Sequence, residues 1–225
     1  MQDIDPAPEQ TLAERAALRL RAGILSGSLQ PGERLGVVEI ARQFGVGTTP
    51  VREGLSRLVS QGLVVAIGRR GFRVSEISRA DLADLTRLRA LVEVEGLRLA
   101  MERGDDAWEA GILSALHRLK ALVRRAGMEA LEGTPDYDVL HKAFHMALLS
   151  ACGSPRLMES ASALYDQAYR YRRLMLRRLT DPDHFVSVHD TLAQAAIARD
   201  HAFAAPLLVR HLETTLCYVY PDEGG

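Results

Sequence analysis

The stretch GTTPVREGLSRLVSQGL, residues 47–63, opens with a glycine and two threonines, carries Pro50 in what would be a first helical turn, and spaces Val51, Leu55, Leu58 and Val59 along one side. Proline suits a first turn because its missing N–H would have no partner there. The spacing is that of an amphipathic helix. Thr48 and Thr49 are expected to cap it, since a threonine hydroxyl can accept from an unpaired first-turn N–H. Just before it, VVEIARQF (37–44) reads as a short helix ended by Gly45, so two helices meet at a tight glycine-containing turn, the pattern of a helix-turn-helix.

Outward from that pair, TLAERAALRLRAGIL (11–25) places apolar residues at 12, 16, 20 and 24 with arginines between them, a third amphipathic helix broken by SGSLQPGERL. On the other side the period changes. LVVAI (63–67) and FRVSEI (72–77) are β-branched runs flanking GRRG, which fits a small hairpin with Arg69 and Arg70 at its tip. A helix-turn-helix followed by such a hairpin is a winged helix. Its second helix enters the major groove while arginines and helix N-termini grip phosphates, so Arg52, Arg57, Arg69 and Arg70 are candidate contacts to double-stranded DNA. Taken singly, each reads more readily as a solvated surface arginine; the order of the elements favours DNA.

These residues also carry a resemblance. GERLGVVEIARQFGVGTTPVREGLSRLVSQGLV, followed by RRGFRV, resembles the winged-helix domain of the GntR family of bacterial transcription regulators. The resemblance implies operator contacts at Arg34, Thr49, Arg52 and Gly71, with Thr48 in the same turn. Gly47-Thr48 stands where many members have Ser-Arg, which removes one base-reading arginine, and Gly54 replaces a usual alanine, which weakens the helix slightly.

Charge divides the chain in the same place. Residues 1–75 hold ten Lys/Arg and seven Asp/Glu, net +3, leaving 18 basic and 22 acidic residues, net −4, for the remainder. Only the first part is suited to a polyanion. No apolar run reaches the roughly 18–20 residues of a membrane span, and MQDIDPAPEQ is unlike a signal peptide, so a cytoplasmic protein with no membrane partner is expected. Cys152 and Cys217, without a C-x-x-C spacing, are expected to be buried thiols.

From residue 77 onward the pattern is helical, with expected helices at 79–102, 105–127, 136–152, 154–178, 182–199 and 201–219. The fold class is therefore mainly α: a winged helix-turn-helix with a β-hairpin wing at 1–76 and an all-α antiparallel bundle at 77–225. Inside the bundle, HKAFH (141–145) puts His141 and His145 one turn apart on one face. Zinc proteases share this spacing but carry glutamate after the first histidine, where this chain has Lys142. His189 and His211 lie on inward stripes, making four possible nitrogen ligands from three helices, a set suited to zinc or another first-row divalent ion such as nickel or manganese. A ligand pocket, or four histidines packed without chemistry, stays open on this pattern alone. His117, His184 and His201 read as surface residues.

A second resemblance bears on that choice. LHKAFHMALLSACGSPRL, then VHDTLAQAAIARDHAFAAPLLVRHLETT, is similar to the FadR-type C-terminal domain called FCD, and within it to the CsiR-like branch, concerned with short-dicarboxylate catabolism. It implies a metal held by His141, His145, His189 and His211, with His141 where many members carry aspartate. It also implies an effector-facing arginine in the first bundle helix, which falls on Arg89, one turn before Glu93. A buried guanidinium can grip a carboxylate through two parallel hydrogen bonds; otherwise Arg89 is a surface arginine paired with Glu93. YRYRR (169–173) offers a second clamp, but the pattern does not choose among Arg170, Arg172 and Arg173. The expected protein is thus a homodimeric, ligand-responsive regulator, most simply a repressor, that senses a small carboxylate effector. A bundle serving only dimerisation and a metal-dependent hydrolase are the alternatives.

Overall fold

The computed structural model describes residues 10–131, 135–176 and 181–221; the side chains of Arg69 and of residues 126–131, 135, 173–176 and 182 lie outside the described part. The chain divides into two compact units, 1–76 and 77–225.

In the first unit, helix α1 (Leu12–Ser26) starts with a reciprocal capping box between Thr11 and Glu14 and ends at Gly27 in the left-handed conformation. Strand β1 (Arg34–Leu35), α2 (Val37–Phe44), α3 (Thr48–Ser60), β2 (Val64–Ala66) and β3 (Phe72–Val74) follow. Leu20, Val51, Leu55 and Leu58 are buried together with Leu63 and Val74 in a small core. The wing is larger than a hairpin: β1 joins it, giving an antiparallel order β1-β3-β2 with Arg34 opposite Arg73. A two-residue strand has no periodicity to read, which is why the pattern showed two strands only.

Two local expectations change. The threonines do not cap α3; Gly47 is the N-cap without a side-chain bond, and Thr48 and Thr49 are exposed first-turn residues. Gly54 has a packing reason: a Cβ there would meet the Ala17 nitrogen at 3.0 Å and the Ala13 oxygen at 3.1 Å, so its bareness lets α3 lie close on α1.

The second unit contains α4 (Arg79–Arg103), α5 (Asp106–Leu131), α6 (Pro135–Leu149), α7 (Pro155–Leu176), α8 (Pro182–Ile197) and α9 (His201–Val219). Leu97, Ile112, Phe144, Leu148, Leu192, Ala196 and Leu208 form a continuous core among them. α5 runs on through Gly127, since a single interior glycine costs a helix only about 1 kcal/mol. Cys152 is buried, but Cys217 is exposed. It lies two residues, roughly 200° of helix rotation, from the inward-facing Thr215. No helix among the described residues is long and apolar enough to cross a membrane.

Candidate effector pocket and nucleic-acid interface

The bundle brings the four histidines of the sequence pattern together. His141 and His145 come from α6, His189 from α8 and His211 from α9, and one ring nitrogen of each lies within 4.8 Å of the others. Their rings are oriented from behind. His189 Nδ1 donates to the Phe185 carbonyl at 2.7 Å, and His145 Nδ1 donates to Glu93 Oε2 at 3.1 Å. His141 Nδ1 sits 2.6 Å from the Tyr165 hydroxyl. With Nδ1 so engaged, the opposite nitrogens of His145 and His189 carry lone pairs.

His145 Nε2 faces His211 Nε2 at 3.1 Å, while His189 Nε2 is buried with no hydrogen-bond partner. A buried acceptor without a partner is costly unless something fills the place. All four imidazoles are held below their ordinary range. Burial is the main cause throughout, reinforced at His141 and His211 by neighbouring imidazoles; His189 falls to about 3. Neutral rings with converging lone pairs are what a divalent cation requires.

Glu93 on α4 joins this cluster to a guanidinium. Arg89 Nε donates to Glu93 Oε1 at 2.7 Å, and the two side chains are 5% and 1% exposed. Arg89 is therefore paired with Glu93 but is not a surface residue. Burial alone would raise the Glu93 carboxyl; the charge of Arg89 and the bond from His145 outweigh it and hold the group at about 2. Arg89 Nη2 is buried without a partner. It lines one cavity with His141, His145, His189, His211 and Arg172, about 570 Å³ counted with its solvent-open mouth.

Of the three arginines in YRYRR, Arg172 reaches this cavity and Arg170 turns toward Asp81. The Arg173 side chain lies outside the described residues. Lys142 points away from the histidines, to Asp166 at 2.7 Å. Sequence reasoning missed three residues at the rim of the pocket or behind its wall. Tyr165 backs His141, exposed His184 stands at the rim, and Glu93 orients His145 in addition to pairing with Arg89. Only the i,i+4 spacing of Arg89 and Glu93 signalled any of this. His117 is exposed, whereas His201 is half-buried with an unpartnered Nε2 and is not the surface residue expected.

On the first unit, Thr48, Thr49 and Arg52 are exposed at the start of α3. Arg34 Nη2 reaches the Arg70 carbonyl at 3.4 Å, which ties β1 to the wing tip. Gly71 has φ 101° and ψ −140°, a conformation that favours glycine. Arg57 is exposed but paired with Glu14 of α1 at 3.1 Å. The Arg69 side chain lies outside the described residues.

Residues 12–74 match the family profile described as bacterial regulatory proteins, gntR family, and residues 84–214 match the FCD domain. The chain is 36% identical over 212 residues to the HTH-type transcriptional repressor GlaR of Escherichia coli (strain K12), covering 92% of this chain and 94% of GlaR. It is 35% identical over 220 residues to the HTH-type transcriptional regulator BphR of Paraburkholderia xenovorans (strain LB400), covering 96% and 90%. Among solved structures, E. coli McbR/YncC aligns with a TM-score of 0.75 at 24% identity, covering 96% of this chain and all of that one; at such identity the likeness concerns the fold.

Proposed function

The chain belongs to the GntR family of bacterial regulatory proteins with an FCD domain, a family of transcription regulators rather than enzymes, and on that premise we propose that it is a homodimeric repressor whose operator binding responds to a small carboxylate held on a divalent metal. The observation that carries the reading is a cavity lined by converging imidazole nitrogens and by an unpartnered nitrogen of Arg89. The metal, zinc foremost with nickel or manganese as alternatives, would be held by His141, His145, His189 and His211. When bound it supplies a positive centre for a carboxylate oxygen, and Arg89 Nη2 supplies a charge-assisted hydrogen bond to the same ligand.

A hydrolytic use of the site is disfavoured by the state of its nearest carboxylate. Glu93 is the carboxylate beside the histidines, and both of its oxygens are already engaged, by Arg89 and His145. Repression is proposed because the relative GlaR is a transcriptional repressor. The dimer is proposed because a palindromic operator suits two winged helices related by a twofold axis. Coupling requires that the ligand favour one arrangement of the protein over another.

Two outcomes test this function. Arg52→Ala should weaken specific DNA binding by about 1–3 kcal/mol, while alanine at Arg69 and Arg70 should mainly flatten the dependence of affinity on salt. Titrations over a range of salt concentrations read both, and unchanged affinity for Arg52→Ala would remove α3 from the interface. In the pocket, protein purified without chelator and screened by thermal melting against acetate, lactate, succinate, glucose and spermidine should be stabilised by a carboxylate only, by mass action. Stabilisation by the sugar or the amine alone would refute the carboxylate reading.

A further inference from the structure

Arg172 is the second guanidinium in the pocket and is only 2% exposed. Its Nη2 donates to Asp138 Oδ1 at 3.2 Å and to the Tyr165 carbonyl at 3.1 Å, and its carbon stacks 3.8 Å from the centre of the Tyr165 ring. Its Nε and Nη1 are buried with no partner. The Nη2 corner of the guanidinium is thus fixed, while Nε and Nη1 on either side of it each keep an unused donor that a carboxylate oxygen could accept from. We propose that Arg172 is a second ligand-binding residue beside Arg89, and that α7 carries ligand occupancy from it to the head of α4 through Tyr171.

The second half of the proposal rests on what the two preceding residues hold. The Tyr171 hydroxyl donates to Asp81 Oδ2 at 2.6 Å and accepts from the Ser78 backbone N–H at 3.0 Å. Arg170 stands 3.9 Å from the same Asp81 oxygen. Ser78 is the N-cap of α4, its side chain accepting from the Asp81 N–H, and it lies two residues past the end of the first unit at Glu76. Tyr171 therefore secures the first turn of the helix that continues directly from the DNA-binding unit.

Residues 170, 171 and 172 project in three directions about 100° apart on one helix, so a rotation or shift of α7 moves all three together. Tyr171 is fully buried, which leaves little room to absorb such a shift locally. A ligand drawn onto Arg172 Nε or Nη1 would bias the position of α7, and the two hydrogen bonds of the Tyr171 hydroxyl would pass that bias to Ser78 and Asp81. Tyr171 acts as a positioning residue: it touches no ligand.

The proposal depends on the carboxylate reading above, and the test separates the two. Full-length metal-loaded protein is measured with acetate, lactate and succinate by thermal melting and by amide hydrogen exchange of residues 79–85. For wild type, a carboxylate that raises the midpoint should also change exchange in 79–85. Tyr171→Phe should keep the midpoint shift and lose the exchange response. Asp81→Ala, at a half-exposed position that tolerates truncation, should behave the same way. Arg172→Met combined with Asp138→Asn, which leaves no unpaired buried charge, should keep its metal and lose about ten- to a hundredfold in apparent carboxylate affinity.

If both Tyr171→Phe and Asp81→Ala retain the full exchange response, the path through Tyr171 is wrong. If the Arg172 double variant binds the carboxylate as wild type does, Arg172 is no ligand residue. If none of the three carboxylates shifts the wild type, the carboxylate reading itself falls and takes this proposal with it.

Discussion

Replacing His145 and His189 together by alanine is expected to abolish metal binding and to remove the largest single ligand-linked contribution to the stability of the helical unit. The two residues come from α6 and α8, and His211 from α9, so an ion on their nitrogens would tie three helices together. A metal present at about a thousand times its dissociation constant contributes roughly 4 kcal/mol of apparent stability. The variant loses that contribution and gains two small cavities at fully buried positions. Elemental analysis of protein purified without chelator should give about one metal per wild-type chain and essentially none for the variant. Chelator should lower the wild-type midpoint and leave that of the variant unchanged. The winged helix, with its own core of Leu20, Val51, Leu55 and Leu58, should unfold independently of metal in both. A wild type without metal, and not stabilised by zinc, nickel or manganese, would end the metal reading.

The histidine cluster was legible because helical periodicity carries it. The i,i+4 spacing of His141 and His145 fixes a shared face, and His189 and His211 fall on stripes of small and apolar residues that have to turn inward. The winged helix was legible for a similar reason: glycine at the turn and proline in the first turn of α3 each restrict the backbone locally. What escaped was whatever depends on a partner distant in sequence. In YRYRR, Tyr169, Arg170, Tyr171 and Arg172 are all buried, so no polar face marks which arginine lines the pocket. Asp138 and Tyr165 make that choice for Arg172, and Asp81 makes it for Arg170. The third strand was hidden because β1 pairs with β3 across 36 intervening residues, and two residues cannot show alternation. Gly54 looked like a weakened helix because its neighbours on α1 are invisible from its own segment.

Arg89→Ala is expected to act on two quantities at once, and a second substitution separates them. Glu93 is 1% exposed and is kept ionised chiefly by the adjacent guanidinium. Removing Arg89 leaves a buried carboxylate whose remaining hydrogen-bond partner here is the neutral His145 ring, and breaking a buried pair in this way costs about 3–5 kcal/mol. The carboxyl then follows burial and rises from its present value of about 2; once above its unfolded value it binds a proton more tightly in the folded state, so the variant is weakest near neutral pH and recovers part of the loss on acidification, whereas wild type keeps this contribution until pH falls toward 2. A protonated Glu93 also orients His145 Nδ1 less strongly, which should weaken metal binding by about ten- to a hundredfold. Adding Glu93→Gln removes the unpaired charge while keeping an oxygen that accepts from His145, and should restore most of the lost stability. It restores no donor to the cavity. Arg89→Ala/Glu93→Gln should therefore unfold in denaturant near the wild-type midpoint and still fail to gain thermal stability from a carboxylate that stabilises the wild type. A double variant that responds to the carboxylate as fully as wild type would show that Arg89 serves only to neutralise Glu93, and the clamp would have to be sought elsewhere in the pocket.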